Sequence, residues 1–242
     1  MALTTADIQA IYKMRAKHYD CAVALYGLIG FRYKVYRSRA IDLLQLQQGQ
    51  CVVELGCGTG LNFPLLIQQI GSAGRLIGVD LSAEMLGCAQ VRAEQSGWTN
   101  VEFVESDMAT YEFPKGVDRV LSTGALGYVR EYDAVIQRAR QAMVPGGRLV
   151  IWDLKKPEHW PKWLLNFFFM WLGDPFGVTP AYVTSHPWES VQRYFEETTY
   201  EERYWGGIYI ASGTVKIPAS SVKNPDSVKR LCCHEANRGY SL

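Results

Sequence analysis

The sequence has 242 residues, of which 48% are hydrophobic, a length and composition that favour one α/β domain with an elaboration over two independent domains. Its 25 lysines and arginines nearly balance its 24 aspartates and glutamates, which leaves a formal net charge of +1. This balance excludes the global basic field that nucleic-acid binding uses, so no nucleic-acid partner is expected.

The cysteines and the first residues bear on the compartment. Six cysteines at irregular spacings do not have the pattern of a disulfide framework. Cys232, Cys233 and His234 lack the ligand spacing of a zinc site, so no metal is predicted. The first thirty residues lack the unbroken apolar segment of a secretory signal. We therefore expect a cytoplasmic protein.

Residues 1–48 have apolar side chains at helical spacing, with a break near Gly27 and Gly30, and this pattern predicts a helical preface. Apolar runs of strand length then alternate with helical stretches, as in a parallel sheet with helices on both faces. The predicted strands are 51–55, 75–80, 101–107, 118–123 and 148–154, and the predicted helices between and after them are 61–70, 83–95, 132–143 and 189–197.

The end of the chain predicts an antiparallel pair. TYEERYW, from Thr199, and GGIYIASG, from Gly206, are two strand-like runs joined near two adjacent glycines. Residues 217–242 are polar and without periodicity, so we expect a loosely ordered tail there. The expected main domain thus spans residues 49–216.

The stretch VVELGCGTGLNF, from Val52, predicts a nucleotide-binding loop after the first strand. A ligand beyond the carboxyl end of a strand can approach the backbone closely where side chains are absent, as at Gly56, Gly58 and Gly60. A dinucleotide fingerprint would be G-x-G-x-x-G, but Leu61 stands where its last glycine is required.

This loop, together with Asp80 ending the second strand, Ser106-Asp107 ending the third and PGG at 145–147 before the fifth, resembles the class I S-adenosylmethionine-dependent methyltransferases. The resemblance covers residues 49–154 most strongly. It implies a Rossmann-like, doubly wound, mostly parallel seven-stranded sheet with an antiparallel last strand. It also implies S-adenosylmethionine as the cofactor.

The same resemblance implies roles for individual residues. Asp80 would bind the ribose hydroxyls, with a helix cap as the alternative role, although Ser82 can cap that helix instead. Asp107 would bind the adenine amino group, with a turn aspartate as the alternative. Further implied cofactor contacts are Met85 and the Met108 backbone at the adenine, Glu54 at the methionine amino end, and Ser122 and Thr123 near the sulfonium beside Gly124.

A sulfonium methyl group is already activated, so methyl transfer needs alignment of the acceptor more than a catalytic triad. None of the four histidines lies in a local nucleophile signature. The candidates for a catalytic group are His18 and Tyr19, because the preface of this family often forms part of the acceptor pocket. A solvent-facing histidine is the alternative for His18, and no general base is assigned.

Residues 155–178 form an apolar insertion after the fifth strand, crowded with tryptophan, phenylalanine and leucine. They are too short and too interrupted by proline and glycine to span a bilayer. They could lie in a membrane interface as a peripheral contact, or form a buried lid over the active site. Either arrangement favours a hydrophobic or amphiphilic acceptor.

With its AKHYD, PFGV and GGIYIASG stretches, the chain is similar to methyltransferases of ubiquinone and menaquinone biosynthesis and to bacterial phospholipid N-methyltransferases. The predicted function is therefore methyl transfer to a lipid or prenylated quinone, a part of lipid metabolism. Three alternatives remain open: a methyltransferase for a soluble apolar metabolite, an NAD-dependent oxidoreductase, and a cofactor-binding regulatory protein.

Overall fold

A computed structural model of the protein describes residues 5–16, 19–26, 32–161 and 180–218. These residues form a seven-stranded sheet. Its strands are β1 (Cys51–Leu55), β2 (Arg75–Asp80), β3 (Val101–Glu105), β4 (Val117–Thr123), β5 (Met143–Leu154), β6 (Glu196–Arg203) and β7 (Ile208–Thr214). Each strand overlaps one of the strand-like runs predicted from the sequence.

The strand order is β3-β2-β1-β4-β5-β7-β6. Strands β1 to β5 pair in parallel, and β7 pairs antiparallel with both β5 and β6. This topology confirms the predicted doubly wound sheet with an antiparallel last strand. Because the winding reverses between β1 and β4, a crevice opens at their carboxyl ends, where ligands bind in sheets of this type.

Helices cover both faces of the sheet. They are α1 (Thr5–Arg15), α2 (Tyr19–Tyr26), α3 (Tyr33–Leu44), α4 (Phe63–Ile70), α5 (Ala83–Ser96), α6 (Tyr132–Ala142), the single turn α7 (Pro180–Val183) and α8 (Pro187–Tyr194), with a 3₁₀ turn at Leu126–Tyr128. The helical character predicted for the preface is confirmed in α1, α2 and α3. Its third helix belongs to the core, since Leu44 is fully buried.

The sheet separates two apolar cores. One core packs α3, α4 and α5 on the face that Val52 points to, and the other packs α6 and α8 on the face of Val53. Successive side chains of a strand point to opposite faces, so the continuous apolar run of β1 fills both cores.

Several predicted boundaries were wrong by a few residues. The helix predicted at 189–197 is α8, which starts at Pro187, a residue whose fixed φ suits the first helical turn. It ends at Tyr194 because β6 begins at Glu196. The helix predicted from Leu61 begins at Phe63, and β5 begins at Met143 rather than Arg148.

Several predictions concern residues outside the described ranges. They are the break near Gly27 and Gly30, the histidine at position 18, residues 162–178 of the apolar insertion, and the tail from residue 219 with its Cys-Cys-His sequence. Among the helices in the described ranges, none combines the length and apolarity that a membrane span requires.

Candidate active site

A cavity of about 340 Å³ lies at the carboxyl ends of β1, β2 and β4. This is the crevice that the strand order creates. Loops after these strands line one end of it, and α1, α2 and the 3₁₀ turn line the other. The lining residues are Ile8, Gln9, Tyr12, Tyr19, Gly56, Gly58, Asp80, Leu81, Ser82, Met85, Asp107, Met108, Ala109, Thr123, Gly124, Ala125, Tyr128, Val129, Arg130 and Glu131.

The glycine-rich loop forms one wall of the cavity with its backbone. Gly56 has a φ of +66°, and a Cβ atom at this position would overlap the Cβ of Ala125. Gly58 has a φ of +55° and donates its N–H to the Asp80 carboxylate. Gly60 has a different role, because an added Cβ would lie 2.8 Å from the Phe63 ring, inside the core rather than in the cavity.

Asp80 is held at the end of β2 by two backbone donors. Its Oδ2 atom accepts a hydrogen bond from Gly58 N at 2.7 Å, and its Oδ1 atom accepts one from Ser82 N at 3.0 Å. Ser82 is the N-cap of α5, since its Oγ accepts from Met85 N at 3.2 Å. Asp80 is therefore not the helix cap, and an ionised carboxylate can accept further bonds from a ligand. Burial raises its pKa above the ordinary value.

Two methionines and an aspartate complete this end of the cavity. Met85 is 2% exposed, and its methyl group lies close to the glycine loop, as does that of Met108. The Asp107 Oδ1 atom accepts from Ala109 N at 2.8 Å, the bond of a turn aspartate, and Asp107 also lines the cavity. The Met108 carbonyl is held by Arg138 at 3.1 Å.

A buried polar network lies directly beneath the loop. The Asn62 amide donates to Glu54 Oε1 at 2.5 Å and to Thr123 Oγ1 at 2.9 Å, and its oxygen accepts from Arg37 Nε at 2.6 Å. Within the described part of the chain, Glu54 Oε2 has no hydrogen-bond partner. Burial raises the pKa of Glu54 to about 8, against the opposing effects of Asn62 and Arg37.

Helix α2 is tied to the glycine loop from the outside. Asp20 Oδ1 accepts a hydrogen bond from Thr59 Oγ1 at 2.6 Å, and its other oxygen forms an ion pair with Arg92. Arg92 also donates to the Thr59 carbonyl at 2.9 Å. The helical preface thus contacts the loop that forms the cavity wall.

Tyrosines line the part of the cavity that α1, α2 and the 3₁₀ turn form, called here the tyrosine-lined end. The Tyr12 hydroxyl donates to the Tyr128 hydroxyl at 3.1 Å, and the ring centroids of Tyr12 and Tyr19 are 6.1 Å apart. Tyr182 packs behind Tyr128 at a centroid distance of 4.3 Å. Burial raises the pKa of all four phenols, so they are neutral at physiological pH. This end is aromatic, with hydroxyl groups as its polar atoms.

The predicted site residues fall into three groups. Those that line the cavity are Tyr19, Gly56, Gly58, Asp80, Met85, Asp107, Met108 and Thr123. Three residues lie next to the cavity but do not line it: Glu54, Gly60 and Ser122. The side chains of Glu54 and Ser122 are buried. His18 lies outside the described residues. The cofactor contacts assigned to these residues stay predictions.

The sequence did not predict several residues that hold the walls of the cavity in place. Asn62 was detectable as the polar residue directly after the glycine loop, but its three bonds come from α3, β1 and β4. Arg37 and the pair of Tyr12 with Tyr128 have no local sequence signal. Their contacts join positions 25 and 116 residues apart.

Comparison with known proteins adds independent evidence on the family. Residues 52–147 match a protein family described as a methyltransferase domain. This range begins in β1, includes the glycine loop, and ends at the PGG sequence before the main part of β5. Residues 52–147 are a methyltransferase domain of the class I S-adenosylmethionine-dependent type. A methyltransferase domain confirms the predicted cofactor, and it contradicts the NAD-dependent oxidoreductase alternative.

Relatives and solved structures agree with the identification. A 2-phytyl-1,4-naphtoquinone methyltransferase of Thermosynechococcus vestitus is 27% identical to this methyltransferase over 195 residues, 78% of this chain and 84% of the relative. A demethylmenaquinone methyltransferase of Listeria welshimeri is 25% identical over 179 residues, 72% of this chain and 75% of the relative. The DhpI-SAH complex structure has a TM-score of 0.59 at 23% identity and covers 86% of this chain and 96% of that chain, a likeness of fold.

Proposed function

We propose that the methyltransferase transfers a methyl group to an apolar or amphiphilic acceptor with a quinone-type ring. The observation that carries this proposal is the tyrosine-lined end of the cavity, where Tyr12, Tyr19 and Tyr128 offer aromatic faces and hydroxyl donors. A flat ring that bears oxygens matches such a surface. The names of two relatives, a naphtoquinone and a demethylmenaquinone methyltransferase, support the same acceptor class.

We assign the other end of the cavity to the cofactor. The residues there fit it: the glycine loop leaves room for close backbone approach, and the Asp80 carboxylate can accept hydrogen bonds from hydroxyl groups. Met85 and Met108 offer apolar surfaces for a flat base. When bound, S-adenosylmethionine supplies a methyl group that is already activated for transfer.

Glu54 and its network would receive the amino group of the cofactor. A carboxylate oxygen without a partner, buried beside Asn62 and Thr123, is costly unless a ligand pairs with it. A cationic ammonium would supply that partner and favour the ionised form of Glu54. The affinity for the cofactor should then rise between pH 5.5 and 7.5, whereas Glu54→Gln should remove most of this rise.

The remaining residues would exclude water and align the acceptor. Helix α1 lies across the cavity, since Tyr12 bonds to Tyr128 and Gln9 donates to the Leu81 carbonyl at 3.4 Å. Asp20 ties α2 to the loop. Alignment and exclusion of water are the contributions that transfer of an activated methyl group requires from the protein.

The decisive experiment uses methyl-labelled S-adenosylmethionine and four acceptors: a prenylated 1,4-naphthohydroquinone, the same compound in its oxidised form, a lipid extract and an aqueous extract. We expect label in the hydroquinone and in the lipid extract. The reduced ring is nucleophilic at carbon, whereas the oxidised ring is electrophilic. Label confined to the aqueous extract would contradict the proposal and favour a soluble metabolite as the acceptor.

We also propose that the edge of the sheet near the apolar insertion contacts a membrane. Trp205 is 79% exposed in the turn between β6 and β7, and the Trp160 indole N–H donates to its carbonyl at 3.2 Å. Tryptophan is enriched at membrane interfaces. Co-sedimentation with anionic vesicles tests this: Trp205→Ser should reduce the bound fraction several-fold, while Trp98→Ser, a change on the opposite edge beside β3, should not. Equal binding of both variants would contradict the membrane contact.

A further inference from the structure

The side chain of Asp153 lies near the carboxyl end of β5 and is 1% exposed. Its Oδ2 atom accepts from Gly127 N at 2.9 Å, and its Oδ1 atom accepts from Leu154 N at 2.8 Å and from the Tyr182 hydroxyl. A buried carboxylate with several donors is a fixed element, because loss of one acceptor leaves donors unpaired in the interior. The predicted site did not include this residue.

Two of these bonds hold the 3₁₀ turn Leu126–Tyr128. Gly127 is bonded directly to Asp153, and it also faces the Tyr182 ring so closely that an added Cβ would lie 2.8 Å from that ring. Tyr182 is itself fixed by its bond to Asp153. The Asp153 carboxylate thus holds the turn in two ways, directly through Gly127 and indirectly through the Tyr182 ring.

The turn carries Tyr128 into the cavity. The Tyr128 ring packs on Tyr182 at 4.3 Å, and its hydroxyl accepts from Tyr12 at 3.1 Å. Tyr128 follows Thr123 and Gly124, the end of β4 that also lines the cavity. Asp153 thus holds in place a tyrosine that lines the cavity beside the end of β4.

We propose that Asp153 is a positioning residue for methyl transfer, which acts through Gly127 and Tyr182 to hold Tyr128 against an oxygen of the acceptor. This inference rests on the proposed function. In the transfer, the ring carbon of the hydroquinone bonds to the methyl carbon, and the bond from that carbon to sulfur breaks with its electron pair left on sulfur. The proton of that ring carbon passes to water, which restores the aromatic ring. Tyr128 contributes a hydrogen bond to the adjacent ring oxygen and stays neutral throughout.

Ionisation of Asp153 gives this arrangement a pH signature. Burial raises the pKa of its carboxyl group to about 6, and the bonds from Tyr182 and Gly127 act against that rise. The titratable groups that face it are the phenols of Tyr182, Tyr128, Tyr33 and Tyr209, all of which have raised pKa values and stay neutral. Protonation of Asp153 removes an acceptor and should loosen the turn as the pH falls below about 6.

The test compares Asp153→Asn and Tyr182→Phe with matched controls. Asp118→Asn changes a carboxylate that accepts Cys51 N at 2.8 Å at the opposite end of the sheet, and Tyr200→Phe removes a phenol that bonds to Glu202 on β6. The measurements are the affinity for S-adenosylmethionine and the pH profile of kcat for transfer to a prenylated 1,4-naphthohydroquinone.

We expect Asp153→Asn to lower kcat roughly 10-fold with cofactor affinity within about twofold of wild type, since small misplacements at a reacting centre have effects of this size. The low-pH limb of kcat should disappear in Asp153→Asn. In Tyr182→Phe, which keeps the carboxylate but removes a bond that lowers its pKa, the limb should move to higher pH, with kcat lowered several-fold. Both controls should keep the wild-type profile.

Different results overturn different statements. If wild type transfers methyl groups to the hydroquinone and Asp153→Asn retains its kcat and its low-pH limb, the positioning role is wrong and the proposed function stands. If Asp153→Asn does not fold, Tyr182→Phe decides by the position of its limb alone. If wild type transfers nothing to the hydroquinone, the proposed function and this inference both fail.

Discussion

The two ends of the cavity are built in different ways. The end assigned to the cofactor consists mainly of backbone and polar groups from β1, β2 and the loops after them, such as Gly56, Gly58 and Asp80, with two methionines beside them. The opposite end consists of tyrosine side chains from α1, α2 and the 3₁₀ turn, such as Tyr12 and Tyr128. Where a ligand contacts the backbone closely, the loop positions beside it must be glycine. An aromatic wall, in contrast, can be formed by side chains from elements that are distant in the sequence.

This difference explains why the family is identifiable while the acceptor class remains a proposal. The loop between β1 and α4 must avoid side chains wherever the ligand approaches, so its glycines form a short and regular pattern. The tyrosine wall needs only aromatic residues at positions that the fold brings together, and such positions have no fixed spacing. Substitutions at the two ends should therefore have separable effects.

The largest effect is expected from Gly56→Val. The φ of +66° and the overlap of any Cβ with Ala125 make this position unsuitable for a branched residue. We expect at least about 100-fold weaker binding of S-adenosylmethionine, with a lower melting temperature, by calorimetry and thermal unfolding. Gly87→Ala is the control, because an added Cβ at Gly87 meets nothing within 4 Å. Unchanged affinity in Gly56→Val would contradict close backbone approach.

Asp80→Ala should have the next largest effect. Loss of hydrogen bonds to a charged acceptor should weaken cofactor binding by roughly 1.5 to 3 kcal/mol without unfolding the chain. The change also leaves the N–H groups of Gly58 and Ser82 without this acceptor, so thermal unfolding must accompany the binding measurement. An unchanged affinity would contradict the assignment of Asp80 to the ribose.

Glu54 should give the protein a pH-dependent stability without cofactor. Because its folded pKa is raised from 4.5 to about 8, the folded state keeps a proton that the unfolded chain loses. This contribution to stability is fully present below about pH 4.5 and is lost as the pH rises toward 8, with a slope of about 1.4 kcal/mol per pH unit. In urea unfolding, the free energy of unfolding of Glu54→Gln should lack this contribution to the slope. Glu102→Gln, a change at an exposed residue of β3, should keep it. Parallel curves for wild type and Glu54→Gln would contradict the raised pKa.

The smallest effect is expected from Tyr12→Phe. This change removes the hydrogen bond between α1 and the 3₁₀ turn, so stability should fall by about 0.5 to 1.5 kcal/mol and the KM for the acceptor should rise several-fold. Tyr194→Phe is the control, because it removes a 2.6 Å bond to Asp133 outside the cavity. It should lower stability with no change in KM. The same KM in wild type and Tyr12→Phe would contradict a role of α1 in binding the acceptor.

Sequence periodicity predicted the sheet and the cofactor loop well because both depend on local patterns. Apolar runs such as that of β1 fill two cores at once, and the glycines follow a strand directly. The end of α8 was misplaced because the helical pattern continues past Tyr194 while the backbone becomes the edge strand β6. Arg37 and Asp153 were missed because their roles arise from packing between distant elements.

The most direct test of the two-ended cavity is a crossed measurement with Asp80→Ala and Tyr128→Phe. For each variant, calorimetry gives the Kd for S-adenosylmethionine, and transfer assays at saturating cofactor give kcat and KM for a prenylated 1,4-naphthohydroquinone. We predict that Asp80→Ala raises the Kd at least about 10-fold with KM within twofold of wild type, and that Tyr128→Phe lowers kcat/KM about 10-fold with an unchanged Kd. If Tyr128→Phe weakens cofactor binding as much as Asp80→Ala does, the two ends do not bind separate ligands and the account is wrong.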